Sequence, residues 1–172
     1  VRGKTSKPLE PDPSRTGEIV MLEPEIEPAR VRVRPIRKVA AAATGVRLED
    51  AAVVVSGGRG LGGPEPFEQL RELADLLGGA VGASRAACDA GWIDHAAQVG
   101  LTGRTITPDL YLAVGISGAS QHMAGCLGAK NIVAINSDEN ANIFKESRYG
   151  VVGDWKVVLP SFLAAVRELG GA

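Results

Sequence analysis

Three elbows rich in glycine and serine carry most of the chemistry this 172-residue chain could perform. Each follows a short apolar run: Val53-Val-Val-Ser-Gly-Gly-Arg-Gly-Leu61, Ala80-Val-Gly-Ala-Ser-Arg85 and Tyr111-Leu-Ala-Val-Gly-Ile-Ser-Gly-Ala-Ser-Gln-His122. A strand that runs through Gly and Ser into a helix exposes backbone N–H groups, which suit phosphates and the polar edges of a cofactor. Three such elbows on one parallel sheet would line the edge where open α/β sheets bind ligands. Arg59, Arg85 and His122 follow the strand ends as candidate cations. Gln98, Thr102, Gln121 and Asn136 offer uncharged donors and acceptors in matching places. Such groups recognise a ring with both kinds of edge, such as a flavin or a pyrimidine, without forcing a net charge. The pattern points to a nucleotide cofactor.

Two motifs suggest other chemistry. Gly58-x-Gly60-x-x-Gly63 has the form of the dinucleotide fingerprint G-x-G-x-x-G, but the acidic residue usual about 20 positions on is missing. Ser84-Arg85 ends the second strand instead and would suit a 2′-phosphate, so an NADP-dependent oxidoreductase is one reading and a glycine-rich structural turn another. A non-redox adenine-nucleotide module on the same fold is a third. Gly115-Ile-Ser117-Gly-Ala119 approximates a nucleophile elbow with Ala in the last position. The chain has two histidines, His95 and His122, and His122 lies five residues after Ser117 on the helix leaving the elbow. A triad base faces its serine from a different loop. Ser117 is thus read as a ligand hydrogen-bond donor or a helix cap.

The elements that must position these residues alternate β and α from Leu48 onward. Strands are expected at 52–55, 80–83, 110–116, 131–136 and 150–153. Helices are expected at 66–77, 85–90, 119–127, 143–149 and 160–169, the last with Pro160 in its first turn. Repeated β-then-α implies a parallel, doubly wound sheet with helices on both faces. Residues 1–18, rich in Pro, Lys, Asp and Ser, read as a flexible lead-in. Val31 and Val33 between arginines have the period of a half-exposed strand. Residues 1–47 thus read as a β/linker appendage to a domain at 48–172.

Composition narrows the class. Aromatics are 4% and glycines number 22, which suits close backbone approach to a ligand and not a stacking platform for nucleic acid. A net charge of −1 gives no general pull toward nucleic acid or an acidic membrane. No apolar run approaches the roughly 20 residues of a membrane span. Cys88 and Cys126 sit in alanine-rich helical contexts and read as small buried hydrophobes, with no Cys/His cluster to hold a metal. This agrees with a reducing compartment.

Taken together, Val54-Val-Ser-Gly-Gly-Arg-Gly-Leu61, Val81-Gly-Ala-Ser-Arg-Ala-Ala87, Asp89-Ala-Gly91, Gln98-Val-Gly-x-Thr-Gly103, Pro108-x-Leu-Tyr-x-Ala-Val-Gly-Ile-Ser-Gly-Ala119, Gln121-His122 and Ile132-Val-Ala-Ile-Asn136 closely resemble the α subunit of electron-transfer flavoproteins. The resemblance covers about residues 48–170, the Rossmann-like FAD-binding domain. Residues 1–47 resemble the final strands and linker of that family's N-terminal domain, so the chain resembles a C-terminal portion of an α subunit.

What the resemblance implies is an FAD-binding electron carrier that works as a heterodimer with a β subunit. It would accept electrons from flavin dehydrogenases and pass them to a quinone-linked oxidoreductase, in the cytoplasm of a bacterium or the mitochondrial matrix of a eukaryote. Arg59 matches an arginine at the pyrophosphate and the flavin side. Ser84 matches a phosphate or ribityl ligand, and Arg85 the arginine beside the isoalloxazine. Val99, Gly100, Leu101 and Thr102 match the flavin-edge loop, Thr102 near N5, and Gln98, which opens that motif, is a further cofactor-binding candidate. Ser117, Gly118, Ala119, Ser120, Gln121 and His122 match the stretch beside the diphosphate and the flavin's C2 oxygen. Asn136, Asp154 and Trp155 match ribityl- and adenosine-side positions. A cation at Arg85 or His122 would favour the reduced cofactor. Many family members carry Gln where this chain has Leu101, so that position would act through its backbone N–H if the contact is kept.

Overall fold

A computed structural model of the chain describes residues 9–37 and 46–170. Residues 9–27 and 29–37 are exposed, and the segment holds one short 3-10 turn, Pro28–Arg30. The strand expected around Val31 and Val33 is not formed: both side chains lie in solvent, and no ladder partner runs beside them among the described residues. A strand satisfies its backbone groups through a neighbour, and an alternating pattern cannot supply one. The rest of the expected appendage, at 1–8 and 38–45, lies outside the described residues.

Burial begins at Leu48. From there five strands, β1 (Val53–Gly57), β2 (Ala80–Ala83), β3 (Leu110–Val114), β4 (Asn131–Asn136) and β5 (Tyr149–Val152), form one sheet in the order β2-β1-β3-β4-β5. Every pairing is parallel, with Val54 opposite Ala80 and Tyr111, and Leu112 opposite Val133. β1 as far as Val55 and the whole of β3 are continuous apolar runs, as strands covered on both faces require.

Helices α1 (Phe67–Leu76), α2 (Arg85–Asp89) and α5 (Trp155–Gly170) cover one face, where Phe67, Leu70, Leu73, Ala87, Leu159 and Leu163 meet Val55, Leu112, Val114 and Ile135. Helices α3 (Ser120–Cys126) and α4 (Ile143–Glu146) cover the other, where Met123, Cys126 and Ile143 meet Val54, Tyr111, Ala113 and Ile132. The doubly wound α/β architecture read from the sequence is therefore present. Cys88 and Cys126 are free and buried, and burial pushes their thiols up to about 11 and about 12.

Two boundaries are corrected: the helix expected at 143–149 ends at Glu146, with Tyr149 already in β5, and the last helix starts earlier than expected. Pro160 does not open the last helix; it sits inside α5, which starts at Trp155. Asp154 caps that start, its Oδ1 accepting from the Lys156 N–H at 3.0 Å and its carbonyl from Val157 and Val158. Pro160 itself is exposed, so the backbone bond it cannot donate is lost on the solvent side.

Candidate FAD-binding cleft

The strand order 2-1-3-4-5 reverses direction between β1 and β3, and open α/β sheets bind ligands in the crevice beyond the strand C-termini at that point. A cleft of about 830 Å³ opens there. This lies within the range of small-molecule sites, roughly 300–1,000 Å³. Its walls come from the elbows after β1, β2 and β3, the end of β4, and the connector at 98–102.

The β1 and β3 elbows lock together through backbone. The Gly58 N–H donates to the Val114 carbonyl and the Gly60 N–H to the Gly115 carbonyl, each at 2.9 Å. A Cβ on Gly58 would collide with the Gly115 carbonyl oxygen, and one on Gly60 would stand 2.9 Å from the Gly115 Cα. Gly115 takes φ +64° and Gly118 φ +79°, conformations that favour glycine. The G-x-G-x-x-G segment therefore does not serve as a dinucleotide cradle. Its second glycine and the residue after it, Leu61, spend their N–H groups within the protein, and α1 begins only at Phe67, behind Pro64 and Pro66. The NADP reading loses its support with it. The nucleophile-elbow reading fails similarly, because His122 Nε2 is engaged by the Tyr111 hydroxyl at 2.7 Å.

The opposite wall is held by side chains. Ser84 caps α2, its hydroxyl accepting from the Ala87 N–H at 3.4 Å, while its own N–H reaches the Gly57 carbonyl. Arg85 Nε donates to Asp89 Oδ2 at 3.2 Å, and His95 lies 3.8 Å from the other Asp89 oxygen. His95 Nδ1 also meets Gln98 Oε1 at 3.2 Å, and Gln98 Nε2 donates to the Thr102 hydroxyl at 2.9 Å. One polar chain thus runs from Arg85 to Thr102. Asp89 and His95 were not expected in it; the signal for Asp89 was its i,i+4 spacing from Arg85 on the helix expected at 85–90, while the position of His95 means little until the connector's path is known.

The connector then turns tightly against α3. Gly100 adopts φ +145° with its Cα packed on Gly125, where no side chain would fit. The Leu101 N–H donates to the Gln121 carbonyl at 2.7 Å, so that backbone group is used within the protein and the Leu101 side chain stands half-exposed at the rim.

His122 is corrected in character. It is 8% exposed, and burial drives its pKa down to about 4, the Val99 backbone opposing this weakly. At neutral pH it is an uncharged ring, not a cation. Its Nδ1 has no partner in hydrogen-bond geometry. Arg59 is exposed and forms no ion pair among the described residues, which leaves it the uncompensated cation of the cleft, whereas Arg85 shares its charge with Asp89.

All the expected site residues line this cleft except Gly118, Ser120, Asp154 and Trp155. Gly118 and Ser120 face a smaller depression behind the β3 elbow. Asp154 caps α5, and Trp155 Nε1 donates to the Gly60 carbonyl at 3.1 Å, binding α5 to the β1 elbow. Asn136 lines the cleft while clipping it: its Nδ2 donates to the Ile116 carbonyl at 2.9 Å, and its Oδ1 accepts from the Asp138 N–H. Among the described residues no helix is long and apolar enough to cross a membrane, and no cluster of side chains could hold a metal ion.

These residues fit FAD. The cleft offers an uncompensated guanidinium, the exposed Ser117 hydroxyl and the hydroxyls of Ser84 and Thr102 along one open groove. Comparison with known proteins agrees. Residues 47–127 match the family described as electron transfer flavoprotein FAD-binding domain. The α subunit of the electron transfer flavoprotein of Megasphaera elsdenii is 48% identical over 173 residues, covering 99% of this chain and 51% of that protein. The α subunit from Bacillus subtilis is 46% identical over 169 residues, covering 98% and 51%. The mitochondrial α subunit of Dictyostelium discoideum is 53% identical over 121 residues, covering 70% and 34%. The chain spans about half the length of the curated relatives it matches. With motifs, fold and cleft in agreement, the chain belongs to the electron transfer flavoprotein α family, and FAD is the cofactor of its domain.

Proposed function

We propose that this chain is the FAD-holding part of an electron carrier, in which residues 48–172 form the cofactor domain and residues 1–47 lead in from a further domain. The observation that carries the reading is the cleft at the β1/β3 reversal, lined by residues from every elbow the sequence singles out. FAD, when bound, supplies the reversible uptake of one or two electrons; the protein binds, orients and shields it.

Arg59, Ser84 and the 117–121 stretch would hold the diphosphate and ribityl parts. Arg85, Thr102 and His122 would border the isoalloxazine. Arg85 would put positive charge where negative charge gathers on reduction, which would favour the reduced cofactor. His122 contributes there as a neutral ring. Asp154 and Trp155 would face the adenosine end from α5.

A β-type partner subunit would close the groove's open side, with flavin dehydrogenases as donors and a quinone-linked oxidoreductase as acceptor. The printed names of the relatives as electron transfer flavoprotein subunits support that assembly, and the one named mitochondrial, beside bacterial ones, supports a cytoplasmic or matrix setting.

The test is the visible spectrum of the purified chain before and after loading with FAD and desalting. Flavin bands retained at near one per chain are expected, alone or once a β subunit is added. A colourless protein under both conditions would overturn the reading.

A further inference from the structure

His95 does not line the cleft, yet both of its ring nitrogens meet residues that do. It opens the 3-10 turn His95–Ala97 and is exposed, while Arg85, Asp89, Gln98 and Thr102 face the cleft. Its Nδ1 stands 3.2 Å from Gln98 Oε1, and its Nε2 stands 3.8 Å from Asp89 Oδ1. Gln98 Nε2 donates to the Thr102 hydroxyl at 2.9 Å, so the amide turns its oxygen to the ring. An amide oxygen only accepts, so Nδ1 carries the proton of the neutral ring and Nε2 its lone pair. The nitrogen facing Asp89 is therefore the one that takes a second proton.

Asp89 is placed to respond. Its Oδ2 accepts from Arg85 Nε at 3.2 Å, one helical turn back on α2. Charge-assisted bonds of this kind close to about 2.7–2.9 Å, so Arg85 holds the carboxylate loosely. Toward His95 the other carboxylate oxygen meets a lone pair, at 3.8 Å and beyond hydrogen-bond reach. A proton from solvent on Nε2 turns that gap into an attraction between opposite charges. The side chains of Arg85, Asp89 and His95 are each more than half exposed, so the proton has open access and the carboxylate has room to shift.

The other charges around the turn have partners of their own. Asp94, just before it, accepts from the Ala96 N–H at 2.7 Å. The Cys88 thiol of α2 is directed to the Asp94 carbonyl. β2, against which the turn packs, supplies only Ala, Val and Gly. On the connector, Gln98 and Thr102 are uncharged, and Arg104 pairs with Glu49 at 2.8 Å. From α1, Arg71 and Asp75 border a depression shared with Ala96 and Ala97, and Arg71 is bonded to Glu68.

We propose that His95 is a positioning residue whose protonation draws Asp89 toward itself and frees the Arg85 charge for the cofactor. While the ring is neutral, Arg85 and Asp89 cancel. Once it is charged, the three carry a net +1, and of the two cations Arg85 is the one that lines the cleft. Positive charge there favours the reduced cofactor, so this bias grows as pH falls through the range in which histidine gains its charge. By linkage, reduction of the cofactor favours uptake of a proton at Nε2. The inference rests on the proposed FAD reading for its cofactor, but not for the contacts of the ring.

The experiment compares the midpoint potential of the FAD-loaded chain with that of His95→Gln at about pH 5 and about pH 8, on either side of the histidine range. Proton uptake by the flavin itself is common to both, so the difference between them is the readout. At the lower pH the parent should favour reduced FAD roughly two- to fivefold more than the variant, exposed ion pairs being weak. At the higher pH the two should coincide. Equal potentials at both, or the same offset at both, would overturn the inference and leave the FAD reading standing. In an Asp89→Asn background the low-pH difference should vanish; one that persists would mean that the ring acts by its own charge, and the positioning role would fail. Nitrogen-15 NMR of the FAD-free chain at about pH 8 checks the starting arrangement. A pyrrole-type Nδ1 on His95 supports it, and a pyridine-type Nδ1 overturns it. A chain that takes up no FAD in any form would overturn the FAD reading, and this effect on the cofactor with it, before any potential is read.

Discussion

The two walls of the cleft are built by opposite means. The wall at the β1/β3 reversal has almost no side chains: Gly58, Gly60 and Gly115 interlock through backbone bonds at van der Waals distance. The wall from Arg85 to Thr102 is a relay of side chains, most of them exposed, strung along a connector with little regular structure. The first should be intolerant of any added atom yet nearly blind to charge and pH. The second should tolerate truncation structurally while answering in ligand affinity. His122 belongs to neither wall cleanly, since it reaches the cleft from α3 but is buried like a core residue.

The sharpest way to break this contrast is Gly58→Ala. The added methyl has no room against the Gly115 carbonyl and the Ile116 side chain, and overpacking of this kind costs about 2–3 kcal/mol. Chemical denaturation should show that loss, and FAD retention should fall with it. A variant as stable as the parent would mean the two elbows can slide apart, and the rigid wall would not be rigid.

Next in size is the effect of acid on His122. Its ordinary pKa of 6.5 falls to about 4 on folding, so the unfolded chain takes up the proton first as pH drops. Stability from this group is fully present above about 6.5 and is lost progressively down to about 4, with a ceiling on the order of 3 kcal/mol. His122→Asn should flatten the stability profile over that window while leaving the remainder of the acid transition in place. An unchanged profile would show that the ring is solvated after all.

Gln98→Ala tests the relay from inside. Gln98 is 6% exposed and joins His95 to Thr102, so its truncation removes two hydrogen bonds and should cost about 1–2 kcal/mol. The same change should weaken FAD binding, because the Thr102 hydroxyl loses its anchor. Destabilisation without any change in affinity would detach the relay from the site.

The sequence exposes the first wall far better than the second. The apolar runs Val53–Val55 and Leu110–Val114 and the glycines after them mark strand ends directly, since buried parallel strands and tight elbows leave compositional traces. His95 leaves none: it is an exposed residue beyond the end of α2, and only the chain's path brings it to Asp89 and Gln98, whereas Asp89 meets Arg85 one helical turn on within α2. The neutrality of His122 was equally invisible, because it comes from burial, and how deeply a residue of α3 is buried depends on the sheet beneath it. Pro160 misled for a related reason. Its usual place is a helix start, but Leu159 and Leu163 packing against the sheet, with Asp154 as cap, carry α5 back to Trp155. Glycine patterns and apolar periods are local; proton positions and side-chain relays are set by tertiary neighbours.

Arg85→Ala is the smallest perturbation of the fold and the most direct on the cofactor. Arg85 and Asp89 are an exposed pair, their side chains 67% and 52% accessible, and such pairs contribute about 0–1 kcal/mol. Denaturation midpoints should therefore barely move. FAD should nevertheless bind more weakly and its midpoint potential should fall, because the variant removes a positive charge beside the cofactor and leaves Asp89 uncompensated at the same place. Asp89→Asn supplies the opposite arm: it frees the Arg85 charge, and the potential should rise. If spectroelectrochemistry finds both variants at the parent's potential, the side-chain wall binds the cofactor without tuning it, and the electrostatic work of this cleft would pass to Arg59 on the wall built of glycines.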